Sequence, residues 1–150
     1  MIREATPDDF ESLKHLLESN HLRSENILES RTRYWVACKE PEVIGAMGLE
    51  LGERCALLRS AVVSAAERGR GIGRALTERA LDWASENGYR VVYCFSTDAG
   101  SYWQAQGFDR CDVEEVVREL PHAPQVSLFR ELGWLPTEVA FRRVCERPTS

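Results

Sequence analysis

A short glycine-rich segment, residues 67–74, constrains the fold of this chain more than any other part of the sequence. It reads Glu-Arg-Gly-Arg-Gly-Ile-Gly-Arg and lies between an apolar run, residues 55–64, and a periodic stretch, residues 71–87. The run is typical of a strand buried on both faces, and the stretch predicts an amphipathic helix that Gly88 ends. Glycines at such a turn let a ligand approach the backbone, and the N–H groups at a helix start favour an anion. The segment therefore predicts a turn that binds an anionic group such as a diphosphate.

The spacing of the glycines excludes two common phosphate-binding motifs. A dinucleotide-binding fingerprint, G-x-G-x-x-G, needs a third glycine at position 74 or 76, where this chain has Arg74 and Leu76. A Walker A loop needs a Gly-Lys pair, and the sequence has none. Taken alone, the segment leaves two interpretations open: an anion site, or a glycine-rich helix start that binds nothing.

The order of the periodic segments predicts a mixed sheet. Strands are expected at residues 2–5, 34–38, 43–51, 55–64, 91–95, 108–113 and 139–145. Helices are expected at 6–17, 24–28, 71–87 and 99–106, with helical turns at 114–120 and 125–132. Because strands dominate the middle of the chain and one crossover helix joins two of them, the predicted fold class is α/β (α+β), a mixed sheet packed by helices. With 150 residues, 43% of them hydrophobic, the chain is expected to form a single domain spanning residues 1–150.

Charge, hydropathy and cysteine usage narrow the class of partner. The net charge of −5 does not favour nucleic acid, because nucleic-acid-binding surfaces are usually basic. No apolar run approaches the roughly 20 residues of a membrane span. The first residues also lack the pattern of a signal peptide, so a cytoplasmic protein with no membrane partner is expected. The five cysteines form no Cys-x-x-Cys pair and the three histidines show no ligand spacing, which predicts reduced thiols and no metal.

Three blocks of the sequence together resemble a known enzyme family. Residues 68–73 match the pattern (Gln or Arg)-x-x-Gly-x-(Gly or Ala), and residues 57–64 before them resemble that family's fourth strand. Residues 99–108 are similar to its segment Ala-x-x-(Phe or Tyr)-(Tyr or Phe)-x-x-x-Gly-Phe. In this order and spacing, the blocks resemble the GNAT superfamily of N-acetyltransferases. The resemblance implies a mostly antiparallel central sheet flanked by helices, with splayed fourth and fifth strands, and acetyl-CoA as cosubstrate without a metal.

The resemblance also implies which residues hold acetyl-CoA. Backbone groups of Val62 and Val63 would pair with the pantetheine arm like an added strand. Backbone N–H groups from Gly69 through Arg74 would hold the diphosphate, and the acceptor amine would attack the thioester directly. The cofactor-binding residues implied in this way are Val62, Val63, Arg68, Gly69, Arg70, Gly71, Ile72, Gly73, Arg74, Ser96 and Trp103.

Two positions depart from the family's pattern. Many relatives carry a tyrosine that protonates the leaving thiolate where this chain has Trp103, which has no phenol. Tyr102 precedes it, and on a helix its side chain points about 100° away, so it is either a displaced acid or a packing aromatic. Many relatives carry an asparagine where this chain has Ser96, which leaves Ser96 or Thr97 to hydrogen-bond the cofactor. The catalytic candidates are Tyr102 as the acid and Glu50 as the base.

The acceptor amine is the least determined part of the reaction. Glu50, like Glu53 after it, is either a base or a solvated surface acid. Arg59 interrupts an apolar strand, so it either pairs with a structural carboxylate or binds an oxyanion of the acceptor, together with Ser60. A weak base favours amines of low pKa, because an α-amine with a pKa of about 8 is less protonated at pH 7 than a lysine amine at about 10.4.

Three functions fit these residues. The run 57–60, the pair Ser96-Thr97 and Trp103 resemble the arsenic-resistance branch of the GNAT enzymes, which is associated with small amino-acid-like acceptors. The leading interpretation is therefore an N-acetyltransferase that acts on a primary amine of a small or amino-acid-like molecule. The alternatives are a protein acetyltransferase acting on an N-terminus or a lysine, and a non-catalytic acyl-CoA-binding module. Residues 22–30 and 114–136 are expected to shape the acceptor pocket, and a homodimer is left open.

Overall fold

The computed structural model describes residues 1–24, 27 and 31–145 of the chain. Over these residues, seven strands and five helices follow one another in the order β-α-β-β-β-α-β-α-β-α-α-β. The strands are β1 (Ile2–Glu4), β2 (Thr32–Lys39), β3 (Glu42–Leu51), β4 (Cys55–Val63), β5 (Val91–Phe95), β6 (Asp109–Cys111) and β7 (Ala140–Val144). The helices are α1 (Phe10–Ser19), α2 (Ile72–Glu86), α3 (Gly100–Ala105), α4 (Val113–Glu119) and α5 (Pro124–Glu131). The helix expected at 24–28 includes residues 25, 26 and 28, which lie outside the described ones.

The strands form a mixed sheet in the order β1-β2-β3-β4-β5-β7-β6. β1 pairs antiparallel with β2, and β7 pairs antiparallel with both β5 and β6. β4 and β5 are parallel, and their pairing covers residues 55–57 against residues 91–93, the first three of each strand. The predicted α/β class is confirmed, including the mostly antiparallel sheet, the flanking helices and the splayed fourth and fifth strands.

The chain forms two compact units. The first comprises Met1–Leu49 and Arg59–Asp82, and the second comprises Glu50–Leu58 and Trp83–Ser150. β3 and β4 each contribute residues to both units. The single domain expected over residues 1–150 stays a prediction.

The apolar core of the first unit includes one face of α1. Leu13, Leu16 and Leu17 are buried and follow the three-to-four-residue spacing of a single helix face. They join Tyr34 and Val36 of β2 in one cluster. The spacing of leucines in the sequence is therefore the reason why α1 forms and why it packs where it does.

An ion pair fixes the start of the first unit. The buried carboxylate of Asp9 accepts hydrogen bonds from both terminal guanidinium nitrogens of Arg3, at 2.7 and 2.8 Å, and from the backbone N–H of Thr6 at 2.8 Å. The hydrogen bond from Arg3 is the main reason that the pKa of Asp9 falls to about 2. The pair ties β1 to the turn that precedes α1.

A polar network lies beside the core of the second unit. The Tyr93 hydroxyl donates to Glu115 at 2.7 Å, and Arg142 donates to both oxygens of the same carboxylate at 2.8 and 2.9 Å. Burial and this hydrogen bond raise the pKa of Tyr93, and the hydrogen bond from Tyr93 lowers the pKa of Glu115. The network joins β5, α4 and β7. The apolar residues around it are Cys55, Leu57, Val116, Leu120, Ala123, Val126 and Ala140.

The helix that follows the glycine-rich turn has the bounds that its sequence indicates. α2 spans Ile72–Glu86, and Gly88 beyond it has a φ angle of +83°, which suits a glycine that ends a helix. In the described part of the chain, no helix is both long enough and apolar enough to cross a bilayer.

Candidate active site

The glycine-rich turn leads from β4 into α2 with a backbone that suits glycine. Gly69 and Gly71 have φ angles of +83° and +78°, in the left-handed region that L side chains rarely adopt. A Cβ atom added at either position would meet no atom within 4 Å. Ala75 N donates to Gly71 O at 3.0 Å, so the N–H groups of residues 72–74 precede the first intrahelical bond. The turn therefore combines open space with backbone donors at the positive end of a helix, as an anion site requires.

Arg68 connects the glycine-rich turn to neighbouring segments through two side-chain hydrogen bonds. Its Nε donates to Val63 O, and its Nη2 donates to Asn20 Oδ1, both at 3.0 Å. These contacts connect the turn to the end of β4 and to the residue that follows α1. Arg68 thus holds the turn in shape, and its predicted role in cofactor binding stays a prediction.

Arg70 and Arg74 are the outward-facing cations of the turn. Their side chains are 66% and 71% exposed, and each meets one carboxylate, Glu67 at 3.4 Å and Glu78 at 3.3 Å respectively. Ion pairs of such exposed cations contribute little stability. The roles of both arginines in binding the cofactor stay predictions.

A cluster of three polar side chains combines Tyr34 of β2 with Arg59 and Ser60 of β4. The Tyr34 hydroxyl donates to Ser60 Oγ at 3.0 Å, and Arg59 Nε donates to the same oxygen at 3.3 Å. The guanidinium carbon of Arg59 lies 6.0 Å from the centre of the Tyr34 ring, within cation–π range. Ser60 has a φ angle of +56°, a conformation that is uncommon for residues other than glycine. We refer to these residues as the Tyr34–Ser60–Arg59 cluster.

Within the first unit, the structure brings most of the predicted site residues onto one strand and the turn after it. Arg59, Ser60, Val62 and Val63 follow one another along β4, and residues 68–74 come soon after. The side chain of Val62 is buried, whereas Ala61 beside it is exposed. The roles of these residues in binding cofactor and acceptor stay predictions.

The second unit holds the predicted site residues on α3 and after β5. Ser96 N donates to Val139 O at 2.8 Å, and Ser96 Oγ accepts a hydrogen bond from Ala99 N at 3.1 Å, which shapes the approach to α3. Trp103 is buried and meets the ring of Phe108 edge-on at 5.4 Å, whereas Tyr102 is exposed and meets Trp103 edge-on at 5.0 Å. The cofactor contacts of Ser96 and Trp103 and the acid role of Tyr102 stay predictions.

Two carboxylates of the second unit are candidates for proton transfer. Glu50 is fully buried, and its Oε1 accepts a hydrogen bond from Gln125 N, at the start of α5, at 2.9 Å. Glu138 lies two residues before β7 and belongs to no motif that would single it out in the sequence. Burial raises the pKa of Glu138 above its ordinary value, which brings it closer to the range useful for acid–base chemistry at neutral pH. The assignment of Glu50 as the base stays a prediction.

Cys94 and Cys111 have environments that disfavour nucleophilic chemistry. Burial raises the pKa of the Cys94 thiol, and it raises the pKa of Cys111 to about 11. Such thiols are protonated at neutral pH, and the thiol is a much weaker nucleophile than the thiolate. Among the residues that the structure describes, no group of three or more His, Cys, Asp or Glu side chains is arranged to hold a metal ion.

Comparison with known proteins identifies one family. Residues 1–108 match the model of the acetyltransferase (GNAT) family, whereas no curated protein gives a significant match. One similar structure is N-acetylglutamate synthase from Neisseria gonorrhoeae, complexed with coenzyme A and N-acetyl-glutamate, with a TM-score of 0.78 and 21% identity. The match covers 98% of this chain but only 35% of the synthase. Rv2747 from Mycobacterium tuberculosis, in complex with CoA and NLQ, is similar with a TM-score of 0.75 and 19% identity, covering 96% of this chain and 98% of that one. The GNAT family N-acetyltransferase YhbS from Escherichia coli, in complex with CoA, has a TM-score of 0.60 and 25% identity, covering 73% of this chain and 68% of that one.

Proposed function

Because the chain belongs to the GNAT family of acetyltransferases, we propose that it transfers the acetyl group of acetyl-CoA to the primary amine of a small, amino-acid-like acceptor. As a member of this family, it is an acetyl-CoA-dependent N-acetyltransferase. In the proposed reaction the amine nitrogen attacks the thioester carbonyl directly, the C–S bond breaks, and CoA leaves. The products are the N-acetylated acceptor and free CoA.

The proposed position of the cofactor follows from the turn and from β4. The diphosphate binds the backbone N–H groups of residues 69–74, and Arg70 and Arg74 attract it. The pantetheine arm then runs back along β4, where the backbone of Val62 and Val63 pairs with it. A strand rises about 3.3 Å per residue, so the stretch from Ser64 back to Ser60 covers about 13 Å and brings the thioester end near Ser60.

The observation that carries the acceptor proposal is the position of Arg59. Its guanidinium is half-buried on β4 next to Ser60, where the proposal places the thioester. The cation–π contact with Tyr34 and the hydrogen bond to Ser60 orient it. A guanidinium carries five N–H donors in a planar fork, and this fork matches the geometry of a carboxylate. We therefore assign to Arg59 the carboxylate of an amino-acid-like acceptor.

Two further arguments support this class of acceptor. The Neisseria gonorrhoeae synthase, whose fold this chain shares, is complexed with an N-acetylated amino acid, N-acetyl-glutamate. In addition, an α-amine with a pKa of about 8 is partly unprotonated at neutral pH, whereas a lysine amine at about 10.4 is almost entirely protonated. An acceptor with an α-amine therefore needs less deprotonation by a general base than a lysine acceptor does.

The test is an assay of CoA release with matched acceptors. Each α-amino acid is compared with its α-carboxamide and with the amine that lacks the carboxyl group altogether. The wild type should favour the free carboxylate by about 10- to 100-fold in kcat/KM, since a hydrogen bond to a charged group contributes about 1.5–3 kcal/mol. Arg59→Gln should remove most of this preference. Arg74→Gln is the matched control: it should raise the KM for acetyl-CoA and leave the preference intact.

Two results would contradict the assignment. In one, the carboxylate preference persists undiminished in Arg59→Gln. In the other, peptides with a free N-terminus or a lysine are better acceptors than every free amino acid, which would make the chain a protein acetyltransferase.

A further inference from the structure

The Tyr34–Ser60–Arg59 cluster contains a buried phenol, the side chain of Tyr34, that has no role in the proposed function. Tyr34 is 2% exposed, and a Cβ atom at Gly48 would lie 2.6 Å from Tyr34 Cζ and 2.8 and 2.9 Å from two other ring atoms. Real Cβ contacts are longer than this, so β3 has room for the Tyr34 ring because residue 48 lacks a side chain. Phenylalanine would fill the same space, which means that packing does not require the hydroxyl. The hydroxyl instead meets Ser60 Oγ at 3.0 Å.

Because Ser60 Oγ accepts two hydrogen bonds within the cluster, its own hydroxyl proton points away from Tyr34 and Arg59. A hydroxyl oxygen accepts at two lone pairs and donates one proton. Ser60 Oγ accepts from the Tyr34 hydroxyl and from the cationic Arg59 Nε. Its proton is therefore left for a third partner, and two donors on one oxygen, one of them charged, polarise that O–H bond and strengthen it as a donor.

We propose that Ser60 and Tyr34 form a proton relay that protonates the thiolate of CoA as it leaves. This inference rests on the proposed function, because the reaction and the position of the thioester near Ser60 come from it. The relay supplies the proton that the family's usual tyrosine would give and that Trp103, at that position, has no hydroxyl to provide. Ser60 is thus a catalytic residue, and Tyr34 acts through it.

The transfer conserves protons and electron pairs. When the C–S bond breaks, its electron pair passes to sulfur, and sulfur takes the proton of Ser60 Oγ. Ser60 Oγ takes the proton of the Tyr34 hydroxyl in the same movement. The nearby Arg59 cation stabilises the transient phenolate. The proton that the acceptor nitrogen loses passes to solvent, and solvent returns a proton to Tyr34 through Ser60 after CoA has left.

The size of the effect is bounded by the chemistry of the leaving group. A thiol has an ordinary pKa of about 8.5, so the thiolate leaves without assistance at a moderate rate. Positioned proton transfer contributes about 10²–10⁴-fold in general, and a thiolate, which needs less assistance, places this reaction at or below the lower end of that range. Loss of the relay should therefore lower kcat by about 10- to 100-fold.

The test compares two tyrosines that lose the same atom. Tyr34→Phe keeps the ring and removes the proton donor. Tyr93→Phe is the matched control, because Tyr93 is equally buried and its hydroxyl also donates a hydrogen bond, to Glu115 at 2.7 Å. Tyr34→Phe should lower kcat by about 10- to 100-fold while the KM for acetyl-CoA and the melting-temperature shift caused by acetyl-CoA stay unchanged. Tyr93→Phe should leave kcat within about twofold, whatever it does to stability.

A second variant and an isotope measurement separate proton transfer from packing. Ser60→Gly removes the hydroxyl, and glycine adopts the φ angle of +56° without strain, so the fold is retained. It should lower kcat by the same factor as Tyr34→Phe, and the double variant should be no slower than either, because both residues act as one unit. The solvent deuterium isotope effect on kcat should reveal two moving protons in the wild type and should fall to the same smaller value in Tyr34→Phe and in Ser60→Gly.

The outcomes separate this inference from the proposed function. If the wild type turns over and Tyr34→Phe keeps at least a third of its kcat, the relay is refuted and the proposed function stands. An equal loss of kcat in Tyr93→Phe also refutes the relay, since the loss would then follow from stability. If the wild type releases no CoA with any amine, both are refuted.

Discussion

A glutamate placed at Gly71 should abolish binding of acetyl-CoA while the same change at Gly88 leaves it intact. The two glycines flank α2, at its start and beyond its end, and their φ angles of +78° and +83° are nearly equal. A Cβ atom at either position would meet no atom within 4 Å. The cost of each substitution to folding is therefore the backbone strain of an L residue in the left-handed region, about 1–2 kcal/mol. At this chain length, about 2–4 °C of melting temperature is lost per kcal/mol, so each variant should melt about 2–8 °C below the wild type.

The two variants should differ in their response to the cofactor. Acetyl-CoA at 100 times its Kd stabilises the folded wild type by about 2.7 kcal/mol, which corresponds to a rise in melting temperature of about 5–11 °C. Gly71→Glu puts a carboxylate at the helix start where the diphosphate is proposed to bind, so this rise should vanish. Gly88→Glu should keep the full rise. Thermal denaturation of each variant with and without acetyl-CoA measures the rise in melting temperature. A folded Gly71→Glu protein that keeps the rise, or a Gly88→Glu protein that loses it, would refute the location of the site.

Four further substitutions have definite expected outcomes. Asp9 has its pKa lowered from 3.8 to about 2, so the ion pair stabilises the fold fully above about pH 4 and this stabilisation is lost as the pH falls through about 2. Asp9→Asn should therefore lower the free energy of unfolding at pH 7 by about 1–2 kcal/mol in urea titrations, with a smaller loss on acidification than in the wild type. Cys94→Ala and Cys111→Ala should each leave kcat within a few-fold, because their thiols have raised pKa values, and mass spectrometry should find no acetyl-cysteine intermediate. Trp103→Tyr should change kcat little in the wild type, because Ser60 and Tyr34 already supply the proton; a large rise in kcat, measured as CoA release, would argue against that source.

The parts of the fold with strong local signals were predictable from the sequence. The helix expected at 71–87 is observed as Ile72–Glu86, because its apolar residues repeat along one face and glycines mark both of its ends. The turns expected at 114–120 and 125–132 are full helices, Val113–Glu119 and Pro124–Glu131. The second of these helices begins at Pro124, because the fixed φ angle of proline suits the first position of a helix.

The parts of the site that depend on distant contacts were not predictable. Tyr34 and Ser60 are 26 residues apart and meet because of how the strands are arranged. One local signal pointed in this direction: Gly48 lies inside a strand, where a glycine often marks the close approach of another group. The sequence left Glu50 as either a base or a solvated surface acid. Its full burial, with a hydrogen bond from Gln125 75 residues away, excludes the surface acid.

The central claim, that this chain N-acetylates an amino-acid-like acceptor, is tested most directly by measuring both products of one reaction. Purified protein is incubated with acetyl-CoA and a panel of α-amino acids, the released CoA thiol is titrated, and the N-acetyl amino acid is quantified by mass spectrometry. We predict equal amounts of the two products with at least one amino acid, formed only when protein, acetyl-CoA and acceptor are all present. Thiol release that never exceeds the uncatalysed background with any amine, from a protein whose melting temperature acetyl-CoA still raises, would contradict the claim and would identify the chain as an acyl-CoA-binding module.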